Sequence, residues 1–176
     1  MIQTMQKISK SPIVFVNFSN SWGGGEKWHL VSARELLLRG HSVEILTHTQ
    51  SELERMAEQA AVPCTSFPIG PQSFLNPFTM MRLVAYLKER QPATVILNGS
   101  RELKTVGIAA KWTQIPQVIY RRGIPKKIRP SLLNRFLFTR VITDIIVNSA
   151  ATLQAVHALL DLPGCAPATM IYNGLD

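Results

Sequence analysis

Apolar positions along this chain fall into short, nearly unbroken runs separated by longer stretches with helical spacing. The runs Ile13–Phe18, Ser42–Thr47, Cys64–Ile69, Thr94–Leu97, Gln117–Tyr120, Asp144–Asn148 and Ala168–Tyr172 are four to six residues long and mostly apolar. Each predicts a strand covered on both faces. Leu30, Val31, Ala33, Leu37 and Leu38 are helically spaced within Glu26–Arg39, and Gly40 is placed to end that helix as its C′ residue. Ser51 is placed to cap a helix over 52–61. Further helices are predicted at about 78–90, about 101–112, Leu132–Ile142 and Ser149–Leu160. Strands alternating with helices in this way predict an α/β protein, a doubly wound three-layer sandwich around a mostly parallel sheet. Ligands bind such sheets beyond the carboxyl ends of the strands. The loops after Phe18, Thr47, Leu97, Tyr120 and Asn148 are therefore where chemistry is expected.

Composition narrows the class. The chain has 176 residues, 46% of them apolar and 17% charged, which suits one globular domain and excludes a disordered or coiled-coil protein. Two cysteines, Cys64 and Cys165, allow no disulfide framework, so a reducing, cytoplasmic compartment is expected. Cysteines and histidines show no metal-ligand spacing, and no metal or bound cofactor is expected. Lys7 and Lys10 precede an apolar run too short for a signal-peptide core. No segment reaches the roughly 20 apolar residues that span a bilayer.

Charge is concentrated rather than spread. The net charge is +8, and residues 121–140 carry seven cations and no acid, whereas residues 1–60 balance six cations against six acids. Arg121, Arg122, Lys126, Lys127, Arg129, Arg135 and Arg140 flank the apolar helix Leu132–Ile142. On a regular helical wheel Leu132, Leu133, Phe136, Leu137 and Val141 share one face, with Phe138 and Ile142 opposite, near Arg135. Two readings are open. Either this is a buried connector with solvated ends, or Lys126, Lys127, Arg129, Arg135 and Phe138 form a patch for an anionic membrane surface. The segment lacks interleaved aromatics and any nucleic-acid motif, so no nucleic-acid partner is expected.

The loop after the first strand reads Ser21-Trp22-Gly23-Gly24-Gly25-Glu26-Lys27. Glycines at a strand-to-helix turn let backbone N–H groups approach a phosphate, and the helix dipole adds to the attraction. A Walker A loop fails because Lys27 is followed by Trp28. A dinucleotide fingerprint fails as well. Trp28 takes the third glycine's place, and the second strand ends Thr47-His48-Thr49 without a ribose-binding acid.

The Gly24-Gly25-Glu26 turn, with Gly40-His41-Ser42-Val43 leading into the second strand, resembles the N-terminal domain of the family 4 retaining glycosyltransferases of GT-B fold. Asp144-Ile145-Ile146-Val147-Asn148-Ser149 is similar to the strand before a later helix of that family. Ile171-Tyr172-Asn173-Gly174-Leu175-Asp176 resembles its hinge into a second domain. The resemblance covers about 12–176 and implies a Rossmann-like fold forming the acceptor-side half of an enzyme. His41, after a helix-stopping glycine, reads as a cap and polar surface residue.

By this resemblance the chain is a single N-terminal domain, 1–176. The nucleotide-sugar-binding domain lies outside it, and the chain alone is expected to be inactive. The resemblance implies a nucleotide-sugar as donor substrate. A glycan or lipid-linked acceptor, as in lipopolysaccharide or surface-polysaccharide synthesis, is implied as its partner. Gly23, Gly24, Gly25, Glu26 and Lys27 would approach the donor's diphosphate or sugar. Glu26 either caps its own helix or touches a sugar hydroxyl, and Lys27 is either solvated or meets a phosphate. Asn173 and Gly174 would form the hinge.

Many relatives carry a histidine after the fourth or fifth strand. Here Asn98-Gly99-Ser100-Arg101 and Tyr120-Arg121-Arg122-Gly123 stand instead. Asn98, Gly99, Ser100, Arg101, Arg121 and Arg122 are therefore the expected acceptor-binding set. The two arginines suit forked hydrogen bonds to an acidic acceptor, or else pair with Glu102 or a backbone carbonyl. No side chain reads as a catalytic base, in keeping with chemistry that depends on positioning and on stabilising the leaving diphosphate. The competing reading is a small-ligand or nucleotide-binding Rossmann module without catalysis.

Overall fold

Strands β1 (Ile13–Asn17), β2 (Val43–His48), β3 (Cys64–Phe67), β4 (Thr94–Leu97), β5 (Gln117–Arg122), β6 (Asp144–Val147) and β7 (Ala168–Met170) form one sheet in a computed structural model of the chain. The structure describes residues 11–129, 131–160 and 162–174. Lys7, Lys10, Leu175 and Asp176 lie outside them. The order is β3-β2-β1-β4-β5-β6-β7, and every neighbouring pair is parallel.

Because strand side chains alternate, each strand feeds two cores. Val14, Val16, Leu46, Val95 and Leu97 point to one face, and Phe15, Ile45 and Ile96 to the other. Helices α1 (Gly24–Leu38) and α2 (Glu52–Gln59) close the second face with Leu30, Ala33, Leu53 and Ala57. The first face is closed by α3 (Pro77–Arg90), α5 (Ile108–Trp112), the turns around them and α7 (Ala150–Leu160). Strands buried on both sides explain why the apolar runs are continuous rather than alternating.

Local chemistry sets the boundaries. Gly40 has φ of +81°, with Gly40 N–H bonded to the Leu37 carbonyl and His41 N–H to that of Leu36. That is a Schellman ending, so His41 serves through its backbone. The hydroxyl of Ser51 accepts from Glu54 N–H, and the side chain of Asn76 accepts from Phe78 and Thr79. Both are N-caps.

Two helices depart from the regular spacing. Helix α4 (Ser100–Glu102) runs through a π-turn, Leu103–Gly107, into α5. Helix α6 (Leu132–Phe136) runs into a second π-turn, Leu137–Val141. The extra residue in the second turn rotates the side chains from Leu137 onward relative to a regular helix. Leu137, Phe138, Val141 and Ile142 all face inward, while Leu132 and Phe136 are exposed. Phe138, expected on a membrane-facing patch, is instead buried edge-to-face on Tyr120, with centroids 5.5 Å apart. Strand β5 also extends to Arg122, so Arg121 and Arg122 lie within the sheet and not in the loop after it.

Candidate functional site

The strand order reverses between β1 and β4, and the crevice at that switch point is where a doubly wound sheet admits a ligand. A cavity of about 340 Å³ lies there, lined by Asn17 at the end of β1, Glu26 of α1, Asn98 to Arg101 after β4, Arg122 at the end of β5 and Gly123 after it. Parallel register brings these together. Val16 pairs with Leu97 and Leu97 with Tyr120, so the first polar residues beyond the apolar runs emerge side by side.

The polar groups here are organised. Asn17 Nδ2 donates to Glu26 Oε1 at 3.1 Å, and its own Oδ1 accepts from Ser19 N–H at 3.0 Å. Glu26 is buried in the first turn of α1, where the helix dipole favours its charge. Its side chain accepts that bond from Asn17 at the end of β1. Glu102 Oε1 accepts from Phe18 N–H at 2.7 Å, and Arg101 donates to the Phe18 carbonyl at 2.6 Å. The end of β1 is thus clamped by α4. Burial raises the pKa of Glu102, and the Phe18 hydrogen bond opposes that rise.

Alternation along β5 separates the two arginines. Arg121 points to the α1 face, where its guanidinium stacks 4.7 Å from the Trp28 ring centroid and donates to Asn98 Oδ1 at 3.2 Å. It is buried, and it does not line the cavity. There it braces Asn98. Burial lowers the Arg121 pKa, and Glu26 counters this as the neighbouring negative charge.

Arg122 points to the opposite face and does line the cavity. It donates to the Tyr120 hydroxyl at 3.0 Å and to the Lys126 carbonyl at 2.5 Å. Its Nε is buried without a partner among the described residues. The backbone-carbonyl alternative thus holds for Arg122, while Glu102 takes neither arginine. Asn98 also touches the glycine loop. A Cβ on Gly25 would lie 2.7 Å from Asn98 Nδ2, which is why the loop needs glycine there.

The glycine loop is divided in space. Glu26 faces the switch-point cavity, whereas Gly24 and Lys27 line a second one of about 330 Å³ with Trp28, Asn173 and Gly174. Glycine loop and hinge are therefore neighbours. Lys126, Lys127, Arg129 and Arg135 are exposed and lie outside both cavities. Next to α1's first turn, His29 is wholly buried against Phe15 and Trp28, and neither ring nitrogen has a partner among the described residues. Burial, reinforced by the positive charge of Arg121, holds its pKa down at about 3, so the imidazole is neutral.

Asn17, Glu102 and Gly123 had no place in the expected site. Asn17 was detectable as an amide interrupting the apolar run Ile13–Phe18, because a buried polar group near a strand's carboxyl end needs a reason. Among the described residues no group of three histidines, cysteines or carboxylates is placed to hold a metal.

Solved structures of similar fold include Anabaena HepE in complex with UDP-glucose, with a TM-score of 0.71 and 22% identity. The match covers 94% of this chain and 44% of that one. A glycosyltransferase from Rickettsia africae superposes with a TM-score of 0.74 at 14% identity, over 96% of this chain and 44% of that one. The lipopolysaccharide outer core galactosyltransferase WaaB gives 0.67 at 14% identity, over 93% and 46%. The chain thus spans less than half the length of these structures, which share the Rossmann-like half of a GT-B fold. No curated protein sequence matches it. The sequence model of Glycosyltransferase Family 4 matches residues 22–176, most of the chain including the glycine loop, and the protein belongs to that family.

Proposed function

We propose that this chain is the acceptor-side half of a glycosyltransferase that moves a sugar from a nucleotide-sugar donor to a glycan or glycolipid. Surface-polysaccharide or lipopolysaccharide synthesis is the proposed setting, with retention at the anomeric carbon as in the enzymes it resembles. The observation that carries this reading is the switch-point cavity, whose amide, hydroxyl, carboxylate and guanidinium groups suit a polyhydroxylated ligand. Asn98, Ser100, Arg101 and Arg122 supply donors, and Glu26 and Asn17 supply acceptors. The similar structures support the donor class: HepE is described with UDP-glucose, and WaaB is a galactosyltransferase.

On this reading a second Rossmann-like half holds most of the donor. The glycine loop and Lys27 meet the diphosphate across the cleft, and Asn173 and Gly174 carry the hinge. The protein's own contribution to catalysis is orientation of the acceptor hydroxyl and exclusion of water, not proton transfer.

We place the enzyme at the cytoplasmic face of a membrane. Supporting this, Lys126, Lys127, Arg129 and Arg135 share an exposed segment with Ile124, Leu132 and Phe136. This trio replaces Phe138 as the apolar element beside the charges. Among the described residues no helix is long and apolar enough to cross a membrane.

The test is a screen of nucleotide-sugars and acceptors with the full-length enzyme, followed by Asn98→Ala and Arg122→Met. Each variant is expected to raise the acceptor KM at least about tenfold, the cost of losing one charge-assisted or bidentate contact. Unchanged kinetics in both overturn the assignment of the cavity. The 176-residue chain alone is expected to give no transfer.

A further inference from the structure

Strand β5 carries a buried charge that packing does not call for. Arg121 is 4% exposed. Its guanidinium makes one hydrogen bond, to Asn98 Oδ1 at 3.2 Å, and no ion pair among the described residues. Trp28 covers it on one side, with the ring centroid 4.7 Å from Cζ. Gly123 leaves room for it, since a Cβ there would stand 2.7 Å from a terminal nitrogen and 3.0 Å from Cζ. Stacking on Trp28 and one hydrogen bond offset only part of the desolvation of a cation. An apolar side chain of similar length would fill the slot without that penalty.

What the arginine supplies is direction. The two ends of a primary amide are nearly equal in shape, one an acceptor and the other a double donor, so packing alone does not tell them apart. A guanidinium does, because it carries donors only. Oδ1 of Asn98 must therefore face Arg121, since the flipped amide would set N–H against N–H. Nδ2 then turns toward the glycine loop, where a Cβ on Gly25 would lie 2.7 Å from Nδ2 and 3.2 Å from Oδ1. The Asn98 backbone is held as well, its N–H donating to the Val16 carbonyl at 3.2 Å. The cation also polarises the amide and strengthens Nδ2–H as a donor.

Two amides line the switch-point cavity, Asn17 and Asn98, and they are used differently. Asn17 has both ends bonded within the protein, Nδ2 to Glu26 and Oδ1 to Ser19 N–H. Asn98 has its oxygen bonded to Arg121, and no group among the described residues accepts from its Nδ2. Asn17 is thus built into the wall, while Asn98 keeps its donor end for the cavity.

We propose that Arg121 is a positioning residue that sets the polarity of Asn98, so that this wall offers N–H donors and takes a lone pair of an acceptor-sugar oxygen rather than a hydrogen-bond donor. The proposal rests on the acceptor-site reading above and deepens it. Arg121 touches no substrate and acts only through Asn98.

The test is steady-state kinetics of the full-length enzyme with the donor and acceptor that the screen selects. The variants are Asn98→Ala, Asn98→Asp, Arg121→Met and the double variant Arg121→Met/Asn98→Ala. Arg121→Met should raise the acceptor KM about fivefold and leave kcat within about twofold, because the productive amide orientation is no longer enforced. In the Asn98→Ala background the same replacement should change KM by less than about 1.5-fold, since its route to the acceptor is gone. Asn98→Asp keeps the shape and the contact with Arg121 but turns the donor end into an acceptor. It should therefore raise KM at least as far as Asn98→Ala does. A general loosening of the fold by Arg121→Met would act in both backgrounds, so the comparison separates positioning from stability. In the proton–nitrogen correlation spectrum of the 176-residue chain, the Asn98 side-chain amide pair, assigned by its loss in Asn98→Ala, should shift in Arg121→Met.

Equal factors for Arg121→Met in the two backgrounds overturn the proposal. So does a wild-type KM in Asn98→Asp, or an Asn98 amide signal unmoved by Arg121→Met. Unchanged kinetics in Asn98→Ala itself would instead overturn the acceptor-site reading beneath it, a result distinct from the other three.

Discussion

His29 is neutral and buried between Phe15, Trp28 and the guanidinium of Arg121, and this makes folding stability depend on pH in a calculable way. Its pKa is about 3 in the folded protein against 6.5 in an unstructured chain. Between those values the unfolded chain takes up a proton that the folded protein excludes. Stability is therefore lost as pH falls below about 6.5, at a rate approaching about 1.4 kcal/mol per pH unit. From pH 7 to pH 5 the loss from this one residue comes to about 2 kcal/mol.

In His29→Leu that contribution disappears. The packing change is the same at both pH values and cancels when the two are compared, as do the titrations of all other groups. His29→Gln serves as a control that keeps polar atoms but cannot titrate in this range. Urea unfolding of wild type and both variants at pH 7 and pH 5 provides the measurement. The stability gap between variant and wild type should shift in the variant's favour by about 2 kcal/mol on going to pH 5. A shift below about 0.5 kcal/mol in both variants would refute the assignment of His29 as a neutral buried imidazole.

The geometry sets three further expected outcomes. Phe138→Ala should destabilise by about 3–5 kcal/mol, whereas Phe136→Ala should stay within about 0.5 kcal/mol, since the π-turn buries the first and exposes the second; equal urea midpoints for the two would contradict that rotation. Gly25→Ala places a Cβ 2.7 Å from Asn98 Nδ2, and a loss of about 1–3 kcal/mol is expected by thermal unfolding as the Asn98 amide is displaced from Arg121. Glu102→Gln should gain stability relative to wild type on going from pH 4 to pH 8. The raised pKa of Glu102 means that the folded state holds its proton too tightly, so the advantage present at low pH is lost as pH rises through the folded value; denaturant midpoints that run in parallel across this range would remove that charge from the account.

Much of the site was legible residue by residue, but its grouping was not. Asn98 to Arg101 and Glu26 were marked by lying just beyond apolar strand runs or at a helix start, and both features depend only on local spacing. The parallel arrangement followed from strands that are apolar on both faces. By contrast, the π-turn at Leu137–Val141 carries no local signature, and a regular wheel put Phe138 on the wrong side. An outer apolar stripe on α3, with Phe78 and Met81 exposed, was present in the sequence, yet Met80 and Met81, or Phe78 and Leu83, cannot be assigned to core or surface until the helix is set on the sheet.

The sequence by itself determined the seven-strand alternation, the glycine turn before α1, the Gly40 stop and the concentration of positive charge after β5, because each rests on backbone preference or on residue counts. Tertiary structure alone decided which polar ends meet. Strand order places β1 beside β4, register sets Asn98 next to Arg121, and two-residue alternation sends Arg121 under Trp28 while Arg122 opens into the cavity. A side chain's role depends on which face it occupies and what lies across from it. Those are properties of contacts between segments distant in sequence, and no window along the chain contains them.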